Sequence, residues 1–235
     1  MKESKLYLPK EAGRVVVVGG VGSGKKQVEY LTDAAREHFK QHLGLDGADV
    51  KGITLADATD DFERTRDEID GTHIVTHSAG IVAVNEVAKL GGEPESVSAF
   101  APPSPKGLGR LIARAGMKPF LEAWASPEDA VEVLGLNVQV GKNILRHPYK
   151  NLRNLGRIAC YDIHNEVVNL LRPRTDGDQG DYFIHFGHMS QDGFGFKYPP
   201  VQSAEYQSVI LEGIHDKLLI KPQEVLEEFR QKTQQ

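Results

Sequence analysis

At 235 residues the chain can build one hydrophobic core to completion without dividing, so a single domain with room for an insertion is expected. A share of 40% hydrophobic and 26% charged residues excludes a disordered or fibrous chain, and a net charge of −5 lacks the basic footprint that a nucleic-acid partner requires. Cys160 is the only cysteine, which rules out an internal disulfide. The charged opening Met1 to Lys10 has no signal-like apolar run, and no later stretch approaches the roughly 20 apolar residues of a membrane span, so a cytoplasmic protein is expected.

The first element begins at Arg14, where Val-Val-Val-Val-Gly-Gly is the continuous β-branched run of a strand buried on both faces of a parallel sheet. Gly22-Ser23-Gly24 turns the chain, and Val28, Leu31, Ala34, Ala35, His38 and Phe39 then recur at helical spacing. Asp49 to Leu55 reads as a second strand and Asp60 to Ile69 as a short charged helix. A third strand, Thr72 to Thr76, runs into His77-Ser78-Ala79-Gly80, after which Ile81 to Leu90 is a helix stopped by Gly91-Gly92. Ser96 to Ala101 is a fourth strand, broken by Pro102-Pro103. Strands alternating with helices imply parallel pairing, and ligands in such sheets bind beyond the carboxyl ends of the strands.

From Ser104 to Arg174 the strand pattern gives way to helical segments interrupted by Pro119, Pro127, Pro148 and Pro173, as expected for a helical cap inserted before the last two strands. Residues 104–157 hold nine Lys or Arg against four acids. That excess fits either a solvated helical face or a surface favouring an anionic substrate or partner. The sheet resumes at Asp181 to Gly187 and Ser208 to Gly213, and an amphipathic helix from Pro222 to about Gln231 closes the chain. The expected architecture is thus α/β, with a mostly parallel sheet carrying helices on both faces. Residues 1–103 and 175–235 form the core and 104–174 the cap.

A serine flanked by small residues, ending a strand and opening a helix, is how a hydroxyl is lifted above a sheet. Thr76-His77-Ser78-Ala79-Gly80 sits at such a junction, although Ser78 also suits a plain helix N-cap. The motif resembles the Gly-x-Ser-x-Gly nucleophile elbow of the α/β-hydrolases, with Thr76 in place of the first glycine and Gly19-Gly20 where many members have His-Gly. The resemblance implies a serine hydrolase acting on an ester, thioester, amide or lactone, with Ser78 as nucleophile and the backbone amides of Ala79 and Val21 as oxyanion donors. A serine at this place argues against the dehalogenase branch, which uses a carboxylate.

The same resemblance implies the order serine, acid, histidine. Val209 to Phe229 resembles the family's final unit of strand, glycine turn, histidine and closing helix, and so implies His215 as the base. Phe183 to Gly193 resembles its strand, glycine and aspartate, and implies Asp192 as the acid, with Asp162, Asp176, Asp178 and Asp181 as competitors. The cap would contribute to a small-molecule or acyl substrate site, and neither metal nor cofactor is expected. His185 and His188, with His164 or His147, carry no metal-ligand motif beyond their spacing.

Two other readings compete. Gly19-Gly-Val-Gly-Ser-Gly24-Lys25 satisfies the Gly-x4-Gly-Lys pattern of a phosphate-binding loop, but Lys26 stands where a Ser or Thr hydroxyl should bind magnesium. The chain could also be a non-catalytic member of the fold used as a binding scaffold.

Overall fold

The computed structural model describes residues 14–43, 49–103, 108–160, 184–192 and 206–233. The chain order is β1 (Arg14–Val18), α1 (Lys25–Leu43), β2 (Asp49–Ile53), α2 (Leu55–Asp60), α3 (Phe62–Ile69), β3 (His73–His77), α4 (Gly80–Lys89) and β4 (Ser96–Phe100). Three helices follow, α5 (Leu108–Ala125), α6 (Ala130–Arg146) and α7 (Pro148–Cys160). The chain then completes the sheet with β5 (Ile184–Gln191) and β6 (Tyr206–Ile214), and closes with α8 (Lys217–Ile220) and α9 (Pro222–Thr233).

The strands form one parallel sheet in the order β2-β1-β3-β4-β5-β6. The valine run of β1 pairs with β2 on one side and β3 on the other, which makes it a central strand and explains why both its faces are apolar. Side chains alternate between the two faces. Val16, Val18, Ile74, Val97, Ala99 and Phe186 pack beneath α2, α3, α4 and α7, while Val15, Val17, Val75, Phe100 and Leu211 pack against α1, α8 and α9. Helices therefore cover both faces, as the sequence implies.

Several boundaries differ from expectation by one or more residues, two of them for a visible reason. Leu55 opens a helix instead of ending a strand, because Thr54 caps α2: its Oγ1 accepts a hydrogen bond from the Asp57 amide. Strand β5 continues past Gly187 to Gln191, since His188 and Met189 remain buried and paired with β6. Its expected start at Asp181, and the end of the expected cap at Arg174, lie outside the described residues.

The topology also marks a place for ligands. From β1 the chain steps outward to β2, then crosses back to β3 and continues in the other direction. The crevice at the carboxyl ends of β1 and β3 is the switch point where open parallel sheets bind their ligands.

Ile74 sits in β3 at 1% exposure. Ile74→Ala is expected to destabilise the fold by about 2–5 kcal/mol, read as a lower urea midpoint with an unchanged m-value.

Candidate active site

Ser78 follows the last residue of β3 and precedes α4, at the switch point. Its φ is +52°, a left-handed conformation that costs a non-glycine residue of order 1–3 kcal/mol. Three contacts hold it there. The Ser78 amide donates to the Phe100 carbonyl of β4 at 2.8 Å. Gly80 lies so close to β1 that a Cβ would come within 2.4 Å of the Val18 carbonyl oxygen, and a Cβ on Gly20 would come within 2.9 Å of the Ser78 Cβ. Residues with side chains fit at neither glycine, so both are required by close approach. Ala79 is the N-cap of α4, and its amide belongs to the first-turn donors that the helix itself leaves unpaired.

The second half of the site comes from the far side of the sheet. Beyond Met189↔Leu211 the ladder resumes at Gln191↔Ile214, so β6 advances three residues where β5 advances two. This irregularity re-aims the end of β6. It delivers His215 and Asp192 from adjacent strand ends with Nδ1 and Oδ2 3.2 Å apart, and both side chains are almost fully buried. Ser78, Ala79, Val21 and His215 all border one cavity of about 260 Å³. Its wall is largely apolar and includes Pro119 of α5, Val140 and Ile144 of α6, and Leu155 and Ile158 of α7. The helices between β4 and β5 thus form part of the same enclosure.

His77, to which no role is assigned by the sequence, joins the two halves. Its Nε2 donates to the His215 carbonyl at 3.1 Å, and the rings meet edge to face with centroids 5.2 Å apart. Burial first, and His215 second, hold the pKa of His77 down to about 4, so this ring is neutral near pH 7. Of the candidate acids, Asp162, Asp176, Asp178 and Asp181 lie outside the described residues, as does His164. Among the described residues His147, His185 and His188 do not gather at ligand distance. His185 packs on Phe229 and His188 on Phe186.

No family profile matches the sequence, and no curated protein is similar to it in sequence. Solved structures are similar in shape. An α/β-hydrolase family protein from Desulfitobacterium hafniense matches with a TM-score of 0.57 at 12% identity, over 95% of this chain and 96% of that one. The type II thioesterase BorB from the borrelidin biosynthetic cluster matches at 0.53 and 14%, over 100% and 97%. A carboxylesterase from the thaumarchaeon Nitrososphaera gargenis matches at 0.53 and 14%, over 93% and 89%.

The chain has the α/β-hydrolase fold.

In this α/β-hydrolase fold a buried charge cluster stands directly behind the His215 turn. Lys118 of α5 forms an ion pair with Asp216, and its Nζ lies 3.8 Å from Glu122 Oε2. Burial opposes the ammonium of Lys118, but Asp216 and Glu122 outweigh it and raise its pKa above the ordinary value. Burial also opposes ionisation of Asp216, yet Lys118 wins and lowers its pKa to about 2. Glu122 is the loser: burial first, and the negative Asp216 second, push its pKa up to about 9. One cation therefore serves one carboxylate, and the second carboxyl keeps its proton. Among the described residues no helix is long and apolar enough to cross a membrane.

A carboxyl whose pKa is higher folded than unfolded adds stability below its unfolded value of 4.5, and that contribution is lost as the pH climbs towards 9. Glu122→Gln is accordingly expected to raise the urea midpoint at pH 8 while leaving it nearly unchanged at pH 4. An equal gain at both pH values would show that the carboxyl is not protonated in the folded chain.

Proposed function

We propose that this chain is a serine hydrolase that cleaves a carboxylic ester, thioester or amide through an acyl-enzyme on Ser78. The observation that carries the reading is that a strained serine at the β1/β3 switch point and a buried histidine line one cavity, with one ring nitrogen of the histidine facing a buried carboxylate.

In this reading Asp192 accepts a hydrogen bond from Nδ1–H of His215 and so fixes the tautomer in which Nε2 is unprotonated and can act as a base. His215 takes the Ser78 proton as Oγ attacks the carbonyl carbon, then returns it to the leaving group as the tetrahedral intermediate collapses. Water repeats the sequence on the acyl-enzyme and releases the acid. The negative oxygen of each intermediate is met by the amides of Ala79 and Val21, at the positive end of α4. His77 is neutral and hydrogen-bonded to the backbone of His215, so it steadies the turn without competing for the proton. The cavity is slightly smaller than the usual range for ligand sites, and its apolar wall suits a short acyl group.

The likeness in fold to a thioesterase and a carboxylesterase supports hydrolysis in general. The phosphate-loop reading lacks such support: of the strands beside β1, β2 ends at Ile53 and β3 at His77, and the one carboxylate near the loop, Asp57 in the first turn of α2, is engaged by the Thr54 hydroxyl.

A fluorophosphonate probe tests the assignment. The parent chain is expected to be labelled and Ser78→Ala unlabelled, and His215→Ala or Asp192→Asn should lower ester turnover by on the order of 10⁴-fold. An unlabelled parent chain with tight magnesium–ATP binding would favour the nucleotide reading, and one with neither property a binding scaffold.

A further inference from the structure

A second and larger cavity, of about 770 Å³, opens beside the first and shares Gly20 and Ser23 with it. Its border has a different chemistry. Lys25 and Lys26 reach it from the first turn of α1 and Arg146 from the end of α6. None of the three forms an ion pair among the described residues, although most charged side chains of the fold do. One carboxylate borders the cavity, Asp57, and it is engaged by the Thr54 hydroxyl at 2.8 Å.

The backbone adds to this balance. The 19-residue helix α1 starts at Lys25 and has no acidic residue in its first turn. The Gly24 amide donates to Gln27 Oε1 and the Gln27 amide to the Gly24 carbonyl. That leaves the amides of Lys25 and Lys26 as first-turn donors without a partner among the described residues. A helix start alone would say little. Ser23, however, is 8% exposed, borders both cavities and makes no side-chain hydrogen bond among the described residues. With no protein partner among the described residues, this hydroxyl is left to bond whatever enters the cavity, water or ligand.

We propose that the first turn of α1, with Ser23, Lys25, Lys26 and Arg146, is a phosphate-binding subsite, and that the substrate is an acyl compound whose leaving group carries a phosphate monoester. The proposal rests on the hydrolase reading for its second half. The small apolar cavity takes the acyl chain and the large cationic one takes the leaving group, so the scissile carbonyl lies where they join. That junction is Gly20, whose backbone is in contact with Ser78. A phosphate dianion matches three unpaired cations and two free amides, which a neutral alcohol or thiol would leave unused.

The test uses the full chain and two independent readouts. Inorganic phosphate is titrated in ³¹P NMR, where Lys25→Gln/Lys26→Gln and, separately, Arg146→Gln are each expected to weaken binding by about tenfold or more. In parallel, kcat/KM is compared for the butyryl ester of propane-1,3-diol and for the same ester carrying a phosphate on its other hydroxyl. The parent chain should prefer the phosphorylated ester by about tenfold or more, and the preference should fall towards unity in both variants and in Ser23→Ala. Circular dichroism verifies that each variant is folded. No phosphate binding up to about 10 mM, or binding that both variants retain in full, overturns the subsite, as does an equal rate for the two esters. Variant-sensitive phosphate binding without hydrolysis of either ester, and without fluorophosphonate labelling, upholds the subsite and overturns the hydrolase reading instead.

Discussion

The junction between the ends of β1 and β3 is the constraint on which the site depends. Gly80 is pressed against the Val18 carbonyl and Gly20 against Ser78, so two strands and a helix start share a space with no room for a side chain. The Ser78 amide is tied to β4 in addition. A residue at φ +52° would relax in an open loop, but between these three contacts it has nowhere to go, and the sheet bears the strain. The hydroxyl is consequently fixed at the one rim where the topology leaves a crevice.

The opposite wall of that crevice is held by charge. The turn at His215 is buried and its backbone carbonyl is used by His77, while the next residue, Asp216, is clamped by Lys118 of α5. Helix α5 therefore reports directly on the position of the histidine. Ion pairs buried this deeply gain little net stability, because both partners are stripped of water, but losing either partner is costly. Their worth here is positional: the pair permits one arrangement of α5 against the β6 turn. Glu122 beside it, its pKa pushed up by burial and by the negative Asp216, is left without a cation of its own.

Much of this architecture was legible in the sequence, and the part that was not has a common cause. The valine run, the small residues around Ser78 and the glycine before His215 are local signals, because each states what the backbone does at that point. Likewise the order of serine, Asp192 and His215 along the chain could be set against the resemblance. Helix α2 was also there to be read, since Thr54-Leu-Ala-Asp57 is an N-terminal capping pattern, but the apolar Ile53 and Leu55 on either side of Thr54 suggested a strand. The charge cluster was different. Lys118 and Asp216 are 98 positions apart, and helical spacing does not say which face of α5 turns inward. In the sequence Lys118 counts as one more cation on a basic segment, and only packing makes it the partner of a buried aspartate.

The glycine-rich loop illustrates how one local motif can be divided between two tasks. Gly22 is packed beneath Val140 and Ile144, and Asn143 donates to its carbonyl at 3.0 Å, so α6 closes over the loop from above. With α6 there, and with Lys26 in place of the magnesium-binding hydroxyl, the loop lacks the means to present a metal-bound triphosphate. What survives is the more general physics of such loops: free amides at a helix start and lysines beside them, attractive to any compact anion. On its other side the same backbone lies against the serine. A loop shaped to approach a nucleophile closely is, for the same steric reason, shaped to approach whatever the nucleophile attacks, and cations placed on it bias which substrates arrive there.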